Sequence, residues 1–279
     1  MFRSLAPISF CMLNSSLSAT VPYLSHAGLP EVRQAERYDQ QGRKSAIAIA
    51  SELPLTIKIN TKELVTLMTI GSQPELLVLG YLRNQGLFTK LEEIESVIVD
   101  WEHEVAEVTT RNKTQTGHFS GNHQPIIELA KGKIRGQPLD SFPLRQSDIY
   151  RILESVKSLN NTYRKAGSVH GCGLFLGSKQ LAFIEDVGRH GATDALAGKM
   201  WLEGITGKNK IFYTTGRLTS EIVIKSALMG IPILISRNGT TQMAIAIAKE
   251  LGVALIARAK SRHFIAFNAP QLIFDTKGH

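Results

Sequence analysis

Between residues 181 and 257 four short apolar runs, LAFI, IFYTT, ILIS and VALIA, alternate with stretches whose apolar residues recur at helical spacing. Runs that are apolar throughout, not at every second position, belong to strands covered on both faces. The intervening segments at about 192–202, 220–229 and 243–251 supply the covering helices, with Gly230 and Gly252 where helix C-terminal glycines sit. This order of strand and helix predicts an α/β fold, a sheet with helices on both sides.

Upstream, a helix is expected from Ser147, as N-cap, to about residue 159. SVHGCGLFL and KQLAFIE then flank Gly177-Ser178, a hairpin signal. Nearer the start, β-branched runs at 55–60 and 64–69 are joined by a polar turn. Pro74 opens a helix over 75–85 that Gly86 stops, and 96–99 and 105–110 read as two more strands. The expected organisation is a flexible extension over 1–45, a smaller β-rich α+β unit over 46–110, a mobile loop and linker over 111–146, and an α/β domain over 147–279. The first 30 residues carry one arginine and no acid, but Pro7, Ser9 and Asn14 interrupt the apolar stretch that a secretory signal needs.

No apolar run reaches the roughly 18 residues that span a bilayer, so a membrane role is not expected. Two cysteines in 279 residues make neither a disulfide framework nor a C-x-x-C site, which points to a reducing, cytoplasmic setting with no metal. The formal charge of +8 favours an anionic partner.

The residues after each strand narrow that partner. EDVGRH, GRLTSE, RNGTT and RAKSRH follow the four apolar runs and place Arg189, Arg217, Arg237 and Arg258 at strand C-termini, with Lys260 and Arg262 close behind. In open α/β sheets that edge binds ligands, beside helix N-termini whose free N–H groups favour anions. Gly188, Gly216 and Gly239 let a backbone approach a ligand closely. A phosphorylated polyanion is therefore the expected ligand, and duplex nucleic acid is disfavoured because the basic residues lie in turns and not along one helix. Familiar phosphate loops are absent: Gly191 and Gly198 are separated by six residues where a P-loop needs four, and no G-x-G-x-x-G opens a helix. Nor are there the H-x-E and P-C-x-x-C motifs of zinc deaminases.

Glu185, Asp186, His190 and Glu221 are acid–base candidates, although Asp186 could equally hold its loop and Glu221 suits a first helical turn regardless of function. His170 and Cys172 lie two apart on a strand and face the same way; Cys172 is either a nucleophile or an inert buried thiol.

Together these segments resemble the formate dehydrogenase accessory protein family, the FdhD sulfurtransferases, over roughly residues 50–270. The resemblance rests on VHGC at 169–172, EDVGRHGATDAL at 185–196, TTGRLTSEIVIKSALMGIPILIS at 214–236 and RHFIAFNAP at 262–270, with ELPLTIKIN and PELLVLGYL similar to the family's N-terminal pattern. It implies a cytidine-deaminase-like three-layer α/β/α core and a homodimer. It also implies a sulfur carrier that takes sulfur from a cysteine desulfurase and delivers it to the bis-molybdopterin guanine dinucleotide form of molybdenum cofactor, for formate dehydrogenase. The cofactor-binding residues would be Phe264, Ile265, Ala266, Phe267, Asn268 and Ala269. Beside them would lie His170, Asp186, Arg189, His190, Gly216, Arg217, Glu221, Arg237 and Arg262. In one place the chain departs from the pattern. The family's persulfide-bearing cysteine belongs to a C-G-x-C-G-like loop about 45 residues before the V-H pair, and here Gly121-Asn122-His123-Gln124 occupies that place without a thiol. A cofactor-binding chaperone without sulfur transfer is the alternative, and Cys172 is the remaining candidate thiol.

Overall fold

The computed structural model describes residues 21–112, 139 and 141–275. The chain begins with β1 (Tyr23–Leu24) and a two-stranded antiparallel ribbon, β2 (Val32–Tyr38) and β3 (Lys44–Ala50). β4 (Leu53–Ile59), β5 (Lys62–Thr69), helix α1 (Pro74–Asn84), β6 (Ile94–Asp100) and β7 (Val105–Thr110) follow. A five-stranded sheet in the order β1-β6-β7-β4-β5 packs Leu55, Ile57, Val97 and Val108 against Val78, Leu79 and Leu82 of α1. Pro74 stands in the first turn of α1, where its missing N–H costs nothing.

One expectation changes here. The segment expected to be flexible up to residue 45 carries β1, β2 and the start of β3 within its described part, and β1 pairs in parallel with β6, so the five-stranded sheet recruits residues from before position 46. A two-residue strand has no periodicity to read, and its place is set by its partner. The linker expected over 111–146 lies mostly outside the described residues, including Gly121 and Gln124.

The second half contains β8 (Leu144–Arg145), α2 (Gln146–Leu159), α3 (Asn161–Ala166), the hairpin β9 (His170–Leu176) and β10 (Lys179–Asp186), then α4 (Arg189–Leu202), β11 (Ile211–Thr214), α5 (Ser220–Leu228), β12 (Ile233–Ser236), α6 (Gln242–Leu251), β13 (Ala254–Lys260), β14 (His263–Phe267) and β15 (Leu272–Ile273). Helix α2 starts one residue before the expected cap, and the Ser147 N–H instead donates to Asp275 at 2.7 Å. The main sheet runs β10-β9-β11-β12-β13-β14. β11, β12 and β13 are parallel, while β9 is antiparallel to both β10 and β11. The C-termini of β10–β13 and the N-terminus of β9 therefore share one edge.

Alternation along the strands explains why they are apolar throughout. Ile211, Tyr213, Ile233, Ile235 and Ile256 face Ile149, Ile152 and Val156 of α2. Phe212, Leu234 and Leu255 face α4, α5 and α6 through Leu196, Ile222, Val223 and Ala248. The protein is thus mixed α/β, as the alternation predicted.

The two halves meet where α1 crosses α4. A Cβ on Gly80 would stand 1.6 Å from the Asp194 carbonyl oxygen, and one on Gly198 would stand 1.9 Å from that of Leu76. Only glycine allows this backbone contact. It brings Asn84 against Asp194, whose carboxylate accepts from Asn84 Nδ2 and from Lys225 Nζ, each at 2.7 Å.

Candidate functional site

The loops at the shared edge are built by hydrogen bonds between neighbouring turns. Gly171 donates to Thr215 Oγ1 at 3.0 Å, and the Thr215 N–H returns a bond to Gly171 O at 2.9 Å. Ser236 Oγ donates to Gly216 O at 2.6 Å, and Asn238 Nδ2 donates to Thr215 O at 2.6 Å. Leu218 and Thr240 bridge in parallel beyond the strands, extending the pairing of β11 and β12 into their loops. The Arg258 N–H bonds Asn238 O at 2.8 Å while its backbone takes φ 53°, bending the end of β13 toward the same loop.

On the α2 side this framework encloses a cleft of about 280 Å³ lined by Asn160, Tyr163, His170, Thr215, Arg237, Asn238 and Lys260. A second hollow of about 260 Å³ continues past Asn160, Arg237 and Lys260 to Lys157 and Ser261. Arg217, Arg237, Arg258, Lys260 and Arg262 are exposed. Arg189 is part-buried, and its side chain lies across Gly216, where an added Cβ would stand 2.8 Å from Arg189 Cβ and Cδ. The Arg189 Nε is buried without a hydrogen-bond partner. Among the described residues no carboxylate pairs with any of these six cations.

His170 stands at the start of β9, its Nδ1 3.2 Å from Thr215 Oγ1. Burial, then the nearby charges of Arg189 and Arg217, hold its pKa below the ordinary histidine value. It therefore offers a neutral imidazole at neutral pH, and an incoming anion would favour its protonation. On the α4 side, His190 Nδ1 lies 3.4 Å from Glu221 Oε1, which in turn lies 3.4 Å from Lys225 Nζ. Burial likewise lowers the His190 pKa, opposed by Glu221 and reinforced by Lys225 and Arg189. Lys225 and Asp194 are almost fully buried, and with Asn84 they anchor this corner to α1.

The structure thus gathers His170, Arg189, His190, Gly216, Arg217, Glu221 and Arg237 at one edge; all but His170, which opens the antiparallel β9, follow a strand. It places others elsewhere. Asp186 lies on the seam with the N-terminal half: its Oδ1 accepts from Ile70 N at 2.6 Å, Val187 N at 2.9 Å and Thr69 Oγ1 at 3.2 Å. Its Oδ2 is buried and unpaired, with Gly191 so close that a Cβ there would stand 1.9 Å away. Burial pushes the carboxyl up to about 6. Glu185 accepts the N–H groups of Thr162 and Tyr163 at 2.7 and 3.0 Å and so fixes α3.

The segment 264–269 is largely an edge strand. Phe264 packs on the α2 side, tilted against Tyr150 with ring centroids 6.1 Å apart, and Phe267 packs on the opposite side. Asn268 donates to Ala248 O and Val253 O at 3.1 and 2.9 Å, capping the end of α6, and Ala269 packs with the α2-side core. Ile265 and Ala266 are exposed, and Arg262 stands at the turn before them. Cys172 faces inward against α4, its Sγ 3.4 Å from Thr214 Oγ1 and 3.6 Å from Thr193 Oγ1. Burial pushes its thiol up to about 11, so it holds almost no thiolate at neutral pH. The inert reading of Cys172 is the one its surroundings support.

Asn160, Tyr163, Thr215 and Asn238 line the cleft without having been singled out in the sequence, because α3 and the Thr215 turn reach it only through tertiary packing. The Asp194–Lys225 pair left a signal: an acid and a lysine inside otherwise apolar helix faces, which are buried only when paired.

A model of the FdhD/NarQ family matches residues 50–274. The sulfur carrier protein FdhD of Staphylococcus aureus strain MRSA252 is 27% identical over 238 residues, covering 81% of this chain and 89% of that protein. The protein of the same name in strain Newman matches to the same extent. A crystal structure described as a proposed formate dehydrogenase accessory protein from Desulfotalea psychrophila superposes with a TM-score of 0.70 at 28% identity, over 87% of this chain and 98% of that one.

Proposed function

Because the chain belongs to the FdhD/NarQ family, we propose that it is an accessory protein in the maturation of formate dehydrogenase, holding a phosphorylated cofactor as cargo on its arginine-lined edge. The observation that carries this reading is the set of cations at one sheet edge with no carboxylate partners among the described residues. Guanidinium groups left unpaired beside glycine turns suit pyrophosphate oxygens, which take bidentate, charge-assisted bonds. The cargo would be the bis-molybdopterin guanine dinucleotide form of molybdenum cofactor. His170, Arg189 and Gly216 would meet it at the floor, Arg217, Arg237 and Lys260 at the rim, and Ile265 and Ala266 on the adjoining strand. In this reading the core is cytidine-deaminase-like, the protein works as a cytoplasmic homodimer, and a cysteine desulfurase supplies sulfur. Expression in a strain lacking its own accessory protein should restore formate dehydrogenase activity; failure to do so with abundant folded protein would overturn the reading.

A second reading, a cargo chaperone that transfers no sulfur, is favoured by the sulfur chemistry of this chain. Cys172 is buried with a raised thiol, and the segment around Gly121 and Gln124 holds no cysteine. A persulfide needs a nucleophilic thiolate. Incubation with a cysteine desulfurase and labelled cysteine decides between the two. Label on the protein supports the sulfur carrier, with Cys11→Ala and Cys172→Ala locating it, and its absence supports the chaperone.

A further inference from the structure

A cavity of about 510 Å³ lies at the other edge of the sheet, between the end of α1 and the loops that follow α4 and α5. Its walls are apolar: Trp201, Ile205, Leu228 and Met229 contribute, and the charged residues among its lining are two cations, Arg83 and Lys208. The Arg83 guanidinium stands 5.9 Å from the centre of the Trp201 ring and donates to Ala197 O at 3.4 Å. No carboxylate pairs with it among the described residues. Burial lowers its pKa, so it is a desolvated cation with no counter-charge among the described residues. Such a group gains more from an incoming carboxylate than a solvated one does.

We propose that this cleft docks a segment of a partner protein in which apolar side chains are flanked by carboxylates. The charges select the occupant: among the described residues two cations and no acid line an apolar trough, on a chain of formal charge +8. An apolar side chain enters against Ile205, Leu228 and Met229. Its neighbouring carboxylate meets Arg83, which stands over the Trp201 ring, while exposed Lys208 attracts a second from the rim. Because the cleft and the arginine edge lie at opposite ends of the strands, a partner seated here leaves that edge open. The inference stands whether or not the cargo reading holds, since its test uses no cargo.

The test uses the full chain and a fluorescein-labelled peptide EELLEE, with QQLLQQ as its uncharged counterpart, followed by fluorescence anisotropy. The expected result is saturable one-to-one binding of EELLEE, at least about tenfold weaker for QQLLQQ and for Lys208→Glu, the loss of one charge-assisted contact. Arg83→Gln should lose at least as much, and exposed Lys208 keeps the test informative if that variant is unstable. No saturable binding, equal binding of the two peptides, or indifference to Lys208→Glu overturns the proposal. So does displacement of the peptide by decanoate at lower concentration, which would assign the cleft to a free amphipathic acid. Self-association abolished by Lys208→Glu would assign it to a second copy and overturn it equally.

Discussion

Lys225→Met tests how the functional edge is fixed to the rest of the chain. The Lys225 Nζ lies 2.7 Å from Asp194 Oδ2, with the two side chains 2% and 4% exposed. Removing one partner of such a pair leaves a charge without water or counter-ion, at a cost of about 3–5 kcal/mol. Asn84 still donates to the other Asp194 oxygen, which places the expected loss near the lower end, about 3 kcal/mol. That is a large fraction of the roughly 5–15 kcal/mol by which domains are stable. With a urea slope of about 3 kcal/mol/M for a chain of this size, the unfolding midpoint should fall by about 1 M. The double variant Lys225→Met/Asp194→Asn removes both charges and leaves an amide for Asn84. It should therefore be clearly more stable than the sum of the two single losses implies. Urea unfolding followed by circular dichroism gives all four values. If the losses add within about 0.5 kcal/mol, the pair is not coupled and the reasoning fails.

Three shorter predictions follow from the same geometry. Gly216→Ala drives a methyl group against the Arg189 side chain, and should weaken binding of GDP several-fold in calorimetry while changing the melting temperature little; unchanged affinity would separate Arg189 from the site. Cys172 should resist thiol reagents in the native protein and react on unfolding, as its raised thiol and full burial require; rapid native modification at that residue would contradict the inert assignment. Asp186, held at about 6 against an ordinary 3.8, takes up a proton on folding between these values. Its contribution is thus present at low pH and lost as pH rises through about 6, so the stability difference between wild type and Asp186→Asn should change over that window and be flat above it.

Much of the main sheet was legible because its strands are short, apolar and punctuated by glycines. IFYTT and ILIS correspond to β11 and β12, and the hairpin turn falls at Gly177-Ser178. The recurrence of arginines after successive strands marks the same edge in the sequence. What escaped was long-range. β1 is two residues held by β6, and α3 reaches the cleft through Glu185, 23 residues from Thr162 in the chain. Only the family resemblance points to the segment 264–269, and Asn268 there caps α6, its side chain donating to the free carbonyls of Ala248 and Val253. The sequence sets Asp186 among its loop neighbours, whereas its main partners are at Thr69 and Ile70, more than a hundred positions away.

The most direct measurement is calorimetric titration of the full chain with GDP, a probe that carries the guanine and pyrophosphate of the proposed cargo. Wild type should bind saturably and more weakly as salt is raised, and Arg217→Ala/Arg237→Ala should lose at least about tenfold in affinity, since charge-assisted bonds to phosphate are each worth about that much. Equal affinity in the double variant, or no saturable binding by the wild type, would contradict the arginine edge as a phosphate site.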